Sequence, residues 1–189
     1  MDMETETAMS VGLAQIANVA RVTSDAVTGA MRQFISFRIG DEEYAIDIMA
    51  VREIKGWSET TSLPNQPEHI LGVMNLRGTI VPVFDLRCRF GMGLTEASRS
   101  HVVIIVAVLD RIVGLLVDAV SDILTIDSSE IRPVPEMDRG ISADFLSGIV
   151  SINETMVVIL ALEELFSRGA TEKAIQDLDE QQSVQRDIA

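Results

Sequence analysis

The chain has 189 residues, of which 47% are hydrophobic, and a formal net charge of −14 at pH 7. This length suits one sizeable domain or two small ones that share a core. An acidic surface repels phosphate backbones and anionic lipid headgroups, which argues against nucleic acid and direct membrane insertion. The single cysteine excludes an intramolecular disulfide and suits a reducing cytoplasm.

The two ends of the chain differ in amino-acid composition from its middle. Residues 1–32 combine acids, serine, threonine and alanine with loose apolar spacing, and we expect a part-disordered extension there. Residues 169–189 are a polar tail, which leaves 33–168 as the folded domain. The acidic start is unlike a signal peptide, and the apolar run at 102–109 is far shorter than the roughly 20 residues that span a bilayer. A cytoplasmic location is therefore expected.

The first half of the domain is predicted to contain five strands. Apolar and polar residues alternate on both sides of Gly40-Asp41, which predicts a hairpin. Asp47 is placed to cap a helical turn before the third strand. A loop follows, and Pro67 suits the first position of a one-turn helix at 67–70. The predicted strands are 34–39, 44–48, 52–57, 71–76 and 79–84.

The second half repeats this pattern after a short basic turn at 87–91. Roughly ten short strands with few helices predict a mainly β fold. Two similar halves of about 60–70 residues predict two small barrels packed together, with a boundary at roughly 90–100. The remaining predicted elements are strands at 101–108, 112–118, 120–126, 145–152 and 155–160 and a short C-terminal helix at 161–168.

Patterns for catalysis or metal binding are weak. His69 and His101 lie in different segments, and neither has a cysteine or an acid at ligand spacing. Cys88 lies between Arg87 and Arg89, a setting that can lower a thiol pKa, but no matching base accompanies it. The chain has no P-loop and no complete dinucleotide-binding fingerprint. We therefore predict that the protein is not an enzyme and has no catalytic residue, metal site or cofactor.

The segment VMNLRGTIVPVFDL at 73–86 is the most informative local pattern. Arg77-Gly78 predicts a tight reversal between two apolar strands, in which Gly78 can adopt a positive φ. Pro82 has no N–H for a ladder and is expected at a sheet edge or a bulge. In an acidic protein Arg77 is expected to pair with a carboxylate, and Glu53 is the candidate. Two interpretations stay open: Arg77 recognises a partner, or it only braces the turn.

Five motifs occur in order along the domain: GDEEYAIDI at 40–48, VREI at 51–54, NLRGTIVPVFDL at 75–86, IVGLLVDAVSDI at 112–123 and IRPVP at 131–135. Taken together, they resemble the CheW family of coupling proteins of bacterial chemotaxis. The resemblance covers about residues 33–166 and implies two intertwined five-stranded SH3-like barrels with a short C-terminal helix. It also implies an adaptor that joins the regulatory domain of the histidine kinase CheA to the cytoplasmic tips of chemoreceptors.

The same resemblance implies a receptor-binding groove between the barrels. Glu53 and Arg77 match a glutamate and an arginine that occur as a pair beside this groove in the family, and the other expected residues flank it. The resemblance does not identify kinase-binding residues. The expected groove residues are Val51, Glu53, Arg77, Gly114, Val120 and Ile123.

Two alternatives to a chemotaxis adaptor are weighed. A stand-alone small barrel that binds an oligonucleotide or oligosaccharide is opposed by the charge and by the isolation of Trp57 and Tyr44, which form no aromatic platform. A CheW-like scaffold of a chemosensory system outside chemotaxis shares every motif and stays open. In either adaptor role, the protein is expected in the cytoplasm and reaches membrane-associated receptor arrays through its partners.

Overall fold

The computed structural model describes residues 29–135 and 143–167. Within these ranges the fold is mainly β, with ten strands in two five-stranded sheets and two short α-helices, which confirms the predicted fold class. The predicted C-terminal tail and all of the predicted N-terminal extension except residues 29–32 lie outside the described residues. No helix in the described ranges is long and apolar enough to cross a membrane.

The secondary structure follows the predicted pattern closely along the chain. The elements of the first half are β1 (Met31–Ile39), β2 (Glu42–Asp47), β3 (Val51–Gly56), β4 (Ile70–Leu76), β5 (Thr79–Asp85) and α1 (Leu86–Arg89). Those of the second half are β6 (Val102–Val108), β7 (Arg111–Val117), β8 (Ala119–Asp127), β9 (Leu146–Ile152), β10 (Thr155–Leu160) and α2 (Leu162–Phe166).

Two predicted local structures were wrong. The expected one-turn helix at 67–70 is a turn, closed by a hydrogen bond of 2.9 Å from Ile70 N to Pro67 O. The expected basic turn at 87–91 begins as helix α1, because the Asp85 carboxylate caps it by accepting from Cys88 N at 3.1 Å. The predicted helical turn capped by Asp47 is confirmed as a 3₁₀ turn at Ile48–Ala50.

The two halves of the chain exchange their first hairpins. Sheet 1 has the strand order β8-β1-β2-β10-β9, and sheet 2 has the order β3-β6-β7-β5-β4. Each half therefore contributes its first two strands to the sheet that the other half's last three strands build. The predicted boundary at 90–100 separates the two repeats of the chain but does not separate the two sheets. Local sequence patterns predict hairpins, whereas this exchange depends on pairing between distant strands.

Three hydrophobic clusters hold this arrangement together. One lies within sheet 1 and includes Phe34 and Ile126, and one lies within sheet 2 and includes Met74 and Leu116. The third, which we call the central core, takes residues from both sheets and from α2. Opposite faces of the same strands supply different clusters, and the central core packs the two sheets against each other.

In each sheet, the segment that follows one edge strand forms an isolated bridge to the other edge strand, and we call these two bridges the seams. At seam 1, Arg132 and Ile149 exchange backbone hydrogen bonds of 2.8 and 2.9 Å. At seam 2, Thr61 and Val73 do the same, also at 2.8 and 2.9 Å. Gly72 permits seam 2, because a Cβ atom there would lie 2.3 Å from the Thr61 carbonyl oxygen. Each seam thus links the loop after one edge strand (β8 or β3) to the opposite edge strand (β9 or β4).

Of the two positions predicted for Pro82, an edge strand and a bulge, the edge strand was wrong, whereas a register shift between Ile70 and Gly72 lies opposite the neighbouring Phe84 and Val83. It is buried in β5, between β4 and β7, and is opposite Val73. Val73 directs its N–H and C=O to Thr61 at seam 2, so the backbone of Pro82 points away from β4 and toward β7. The ladder with β7 starts only at Val83, and the missing N–H of Pro82 therefore breaks no hydrogen bond.

Candidate functional site

The predicted pair of Glu53 and Arg77 is present at the surface of sheet 2. Arg77 Nη2 lies 3.0 Å from Glu53 Oε2, and the side chains are 80% and 29% exposed, respectively. The pair joins β3 to the turn between β4 and β5, the same two edges that seam 2 connects. An ion pair this exposed contributes only about 0–1 kcal/mol to stability, so both side chains can change partner at little cost.

The turn that carries Arg77 is built to hold it in an unusual backbone conformation. Arg77 has φ 52° and Gly78 has φ 91°, which are the left-handed values of a type I′ hairpin turn. The Asn75 side chain stabilises the turn by accepting from Gly78 N at 2.7 Å. Sequence reasoning anticipated the positive φ of Gly78 but missed that of Arg77. A left-handed arginine at an exposed tip is a strained feature of the kind that clusters at functional sites.

Val51 and Val120 lie at the boundary between the two sheets. Each is half-buried and packs against the central core. Val51, on β3, is opposite Val106 in sheet 2, and Val120, on β8, is opposite Phe37 in sheet 1. These two predicted groove residues therefore occupy equivalent positions on the edge strands of the two sheets.

The remaining two predicted groove residues have different surroundings. Ile123 is 54% exposed on β8, where it offers apolar surface to solvent. Gly114 is buried in β7, and a Cβ atom there would lie 2.9 Å from Val103 Cγ1 and 3.3 Å from Val83 Cγ2, inside the core of sheet 2. Gly114 stays a predicted groove residue, and the face of β7 that it occupies points toward the core of sheet 2.

A polar cluster around Asp118 was missed by sequence reasoning. Asp118 Oδ2 accepts from Arg87 Nη2 at 2.5 Å and from Gly40 N at 2.7 Å, while its own N–H donates to Arg38 O at 3.0 Å. His101 Nε2 lies 3.6 Å from Asp118 Oδ1. The signal in the sequence was an acid between two apolar runs, at the point where the chain passes from sheet 2 to sheet 1.

The carboxylate of Asp85 is fully buried and is satisfied by local donors. Besides capping α1, it accepts from Thr95 N at 2.7 Å and from Thr95 Oγ1 at 2.8 Å, which fastens the following loop to the fold. Burial, followed by the nearby Asp85 and Glu68 carboxylates, raises the pKa of the Cys88 thiol. This direction is opposite to the one that the flanking arginines suggested, so Cys88 is held as an unreactive thiol.

A cavity of about 550 Å³ opens where the end of β2, the β6–β7 turn and the start of α2 meet. Its rim exposes Met49 and Leu109, whose relative accessibilities are 79% and 52%. The described residues contain no group of three or more His, Cys, Asp or Glu side chains placed to bind a metal ion. The described surface also carries other exposed aliphatic residues and a few ion pairs.

Known proteins resemble this chain in both sequence and fold. Residues 33–170 match the family model of the CheW-like domain. The chain is 46% identical over 143 residues to the probable chemotaxis protein CheW of Rhizobium etli, which covers 76% of this chain and 92% of that protein. It is 42% identical over 148 residues to the chemotaxis protein CheW of Rhizobium meliloti, which covers 78% of this chain and 96% of that protein.

The fold agrees with a crystal structure of the scaffolding protein TtCheW from Thermoanaerobacter tengcongensis. The two superpose with a TM-score of 0.68 at 36% sequence identity, over 75% of this chain and 91% of that one. The family match spans the strands of both sheets, and the identity to relatives extends over most of their lengths. The chain therefore belongs to the CheW-like domain family.

Proposed function

We propose that this chain is a chemotaxis adaptor that couples the cytoplasmic tips of chemoreceptors to the regulatory domain of a CheA-type histidine kinase. Its role is non-enzymatic: it supports assembly of the receptor array and transmits receptor control to the kinase. The proposal is supported by family membership and by the names of its relatives, which are chemotaxis and scaffolding proteins. The protein would reach the membrane-associated array from the cytoplasm, through these partners.

The receptor-binding site in this proposal is centred on Glu53 and Arg77, with Val51 and Val120 on the two sides of the sheet boundary and Ile123 as further apolar surface. The observation that carries it is the exposed Arg77, held by a strained turn and paired with Glu53 at 3.0 Å. Aliphatic surface with an arginine at its rim is typical of protein-recognition sites. A receptor carboxylate could replace Glu53 as the partner of Arg77 with little loss of stability.

The charge reversal Arg77→Glu tests this site. It places two carboxylates beside each other and removes the cation, so we expect receptor-tip affinity to fall at least tenfold while the domain stays folded. Calorimetry with a soluble receptor fragment measures the affinity, and thermal unfolding checks the fold. Arg32→Glu is the matched control, because Arg32 also forms an exposed ion pair, 2.7 Å from Asp47. Unchanged receptor affinity in a folded Arg77→Glu variant would contradict the site.

The double variant Glu53→Arg and Arg77→Glu separates recognition from bracing. It restores an ion pair across seam 2 with the charges exchanged. If Arg77 only stabilises the turn, the double variant regains the receptor affinity and the stability that Arg77→Glu loses. If Arg77 recognises a receptor carboxylate, receptor binding stays weak although the ion pair is restored.

Binding to the regulatory domain of the CheA from the same organism tests the adaptor role as a whole. We expect saturable 1:1 binding in the micromolar range or tighter, about −8 kcal/mol or better. Absence of binding to that kinase, with binding to a kinase of another chemosensory system, would favour the scaffold outside chemotaxis. A small barrel that binds an oligonucleotide or oligosaccharide is disfavoured, because the net charge of −14 repels phosphates and Tyr44 is fully buried and cannot stack on a base or a sugar.

A further inference from the structure

The Asp118 cluster ties together segments that belong to both sheets. Gly40 lies in the β1–β2 turn of sheet 1. Arg87 is in α1, directly after β5, and His101 directly precedes β6; both strands belong to sheet 2. Asp118 itself is the single residue between β7 and β8, where the chain passes from sheet 2 to sheet 1. One carboxylate therefore contacts groups held by each sheet.

The geometry of these contacts is directional and partly shielded from water. The Arg87 and Asp118 side chains are only 30% and 21% exposed, and their closest atoms are 2.5 Å apart. His101 Nδ1 accepts from Ser98 N at 3.1 Å, so the neutral imidazole carries its proton on Nε2, which faces Asp118. Apolar contacts in the central core are non-directional, whereas charge-assisted hydrogen bonds fix both distance and angle.

The cluster also lies directly beside one wall of the proposed groove. Val120 is only two residues after Asp118, at the start of β8, and Val51 lies on the equivalent strand of sheet 2. Both valines rest on the central core, which leaves their separation dependent on how the two sheets are oriented. A contact that fixes the start of β8 against α1 therefore fixes that separation.

We propose that Asp118 is a positioning residue: with Arg87 and Gly40 it sets the spacing between β3 and β8, and so the width of the receptor-binding groove. The part that concerns receptor binding rests on the proposed function, whereas the spacing itself is a property of the free protein. Asp118 does not touch the receptor in this scheme. It acts through Val51 and Val120, which it holds at a defined separation.

The first experiment measures the spacing directly. Spin labels on the exposed positions of the two strands, introduced as Arg52→Cys and Ser121→Cys in a Cys88→Ser background, report the β3–β8 distance by pulsed electron resonance. Asp118→Asn keeps an oxygen that can accept from Gly40 N but removes the charge that binds Arg87. We expect a broader or shifted distance distribution. Arg87→Gln breaks the same contact from the other side and should give the same change.

Arg32→Gln is the matched control, because it removes an ion pair that lies entirely within sheet 1. It should leave the distance distribution unchanged. A distribution that is the same in Asp118→Asn, Arg87→Gln and the parent protein would overturn the proposal. Circular dichroism must show folded protein in each case, and if Asp118→Asn does not fold, Arg87→Gln and Arg87→Lys provide the test.

The second experiment measures receptor-tip and kinase affinity in the unlabelled variants. We expect Asp118→Asn and Arg87→Gln to weaken receptor binding about 2- to 30-fold, with partial rescue by Arg87→Lys. A change in spacing without any change in receptor affinity would overturn the positioning role. If the parent protein itself binds no receptor tip, the proposed function fails, and the distance measurement still decides whether Asp118 sets the spacing.

Discussion

At the scale of single residues, His69 shows how burial controls protonation near α1. Its ring stacks on Phe84 with the ring centroids 6.2 Å apart. Burial lowers the pKa of His69, the Arg89 charge lowers it further, and the Asp85 carboxylate opposes both. The folded protein therefore keeps this imidazole neutral to a lower pH than the unfolded chain does.

The shift of His69 predicts a loss of stability on mild acidification. Between the lowered folded pKa and the ordinary value of about 6.5, the unfolded chain binds more protons than the folded protein, so the free energy of unfolding falls as pH falls. Above that pH window His69 is neutral in both the folded and the unfolded state, so its contribution to the free energy of unfolding is fully retained. We expect His69→Gln to lose less stability than the parent between pH 7.5 and 5.5 in urea unfolding. Equal losses in the two proteins would contradict this assignment.

At the scale of elements, three hairpins use left-handed turns without the usual pair of Asn and Gly. The β6–β7 turn places Leu109 at φ 49° and Asp110 at φ 61°, and Asn153 and Glu154 form a similar turn between β9 and β10. A bulky leucine in this region costs about 1–2 kcal/mol relative to a residue that tolerates it. The Leu109 side chain is also half-exposed, so its burial offsets little of the cost of the left-handed backbone.

Substitution of Leu109 tests the strain of the β6–β7 turn. We expect Leu109→Asn to be more stable than Leu109→Ala by about 0.5–1 kcal/mol, because asparagine adopts left-handed backbone at lower cost. Both substitutions remove the same apolar side chain, so alanine controls for lost contacts. Chemical denaturation measures the difference. If the two variants unfold at the same denaturant concentration, the turn is not strained.

Seam 2 depends on a glycine at one position, Gly72. Gly72 has φ 130°, and its backbone passes too close to Thr61 for a side chain to fit. We expect Gly72→Ala to lower the free energy of unfolding by about 2–3 kcal/mol and to speed amide exchange at Thr61 and Val73. The control is Gly93→Ala, where φ is 87° but no atom lies within 4 Å of the added carbon. If both variants lose the same stability, the proposed role of Gly72 at seam 2 is wrong.

At the scale of the whole molecule, the exchanged hairpins make each half of the chain necessary to both sheets. We therefore expect the protein to remain one folded species after its backbone is cut between the repeats. A protease site inserted between Gly93 and Leu94, both exposed, allows this test. The cut protein should elute as a single species in gel filtration under native conditions, and its unfolding midpoint should become dependent on concentration. Separation of the halves without denaturant would show that the exchange does not hold them.

The sequence predicted local structure better than long-range arrangement. Alternating side chains located all ten strands, and the NLRG turn and its Glu53 partner followed from motif and charge. The exchange of hairpins agrees with the intertwined arrangement that the family resemblance implied, but local patterns could not predict it, since each strand is apolar enough to pair with several others. The buried setting of Gly114 was not anticipated for a related reason: a strand that is buried on both faces does not reveal which face points into the core of its own sheet. Asp118 was missed because its partners are distant in the chain.

The hairpin exchange also has a consequence for the order in which a ribosome releases the chain. The β1–β2 hairpin emerges first, yet its sheet partners β8, β9 and β10 are made last. Sheet 2, by contrast, has all of its strands once Val117 has left the exit tunnel. At about 5–20 residues per second, the Phe34 side chain waits several seconds for the neighbours that it has in the cluster of sheet 1, which are Ile126, Val150, Val157 and Ile159. Until those strands are made, the β1–β2 hairpin exposes an apolar face, and transiently exposed apolar surface of this kind is prone to aggregation.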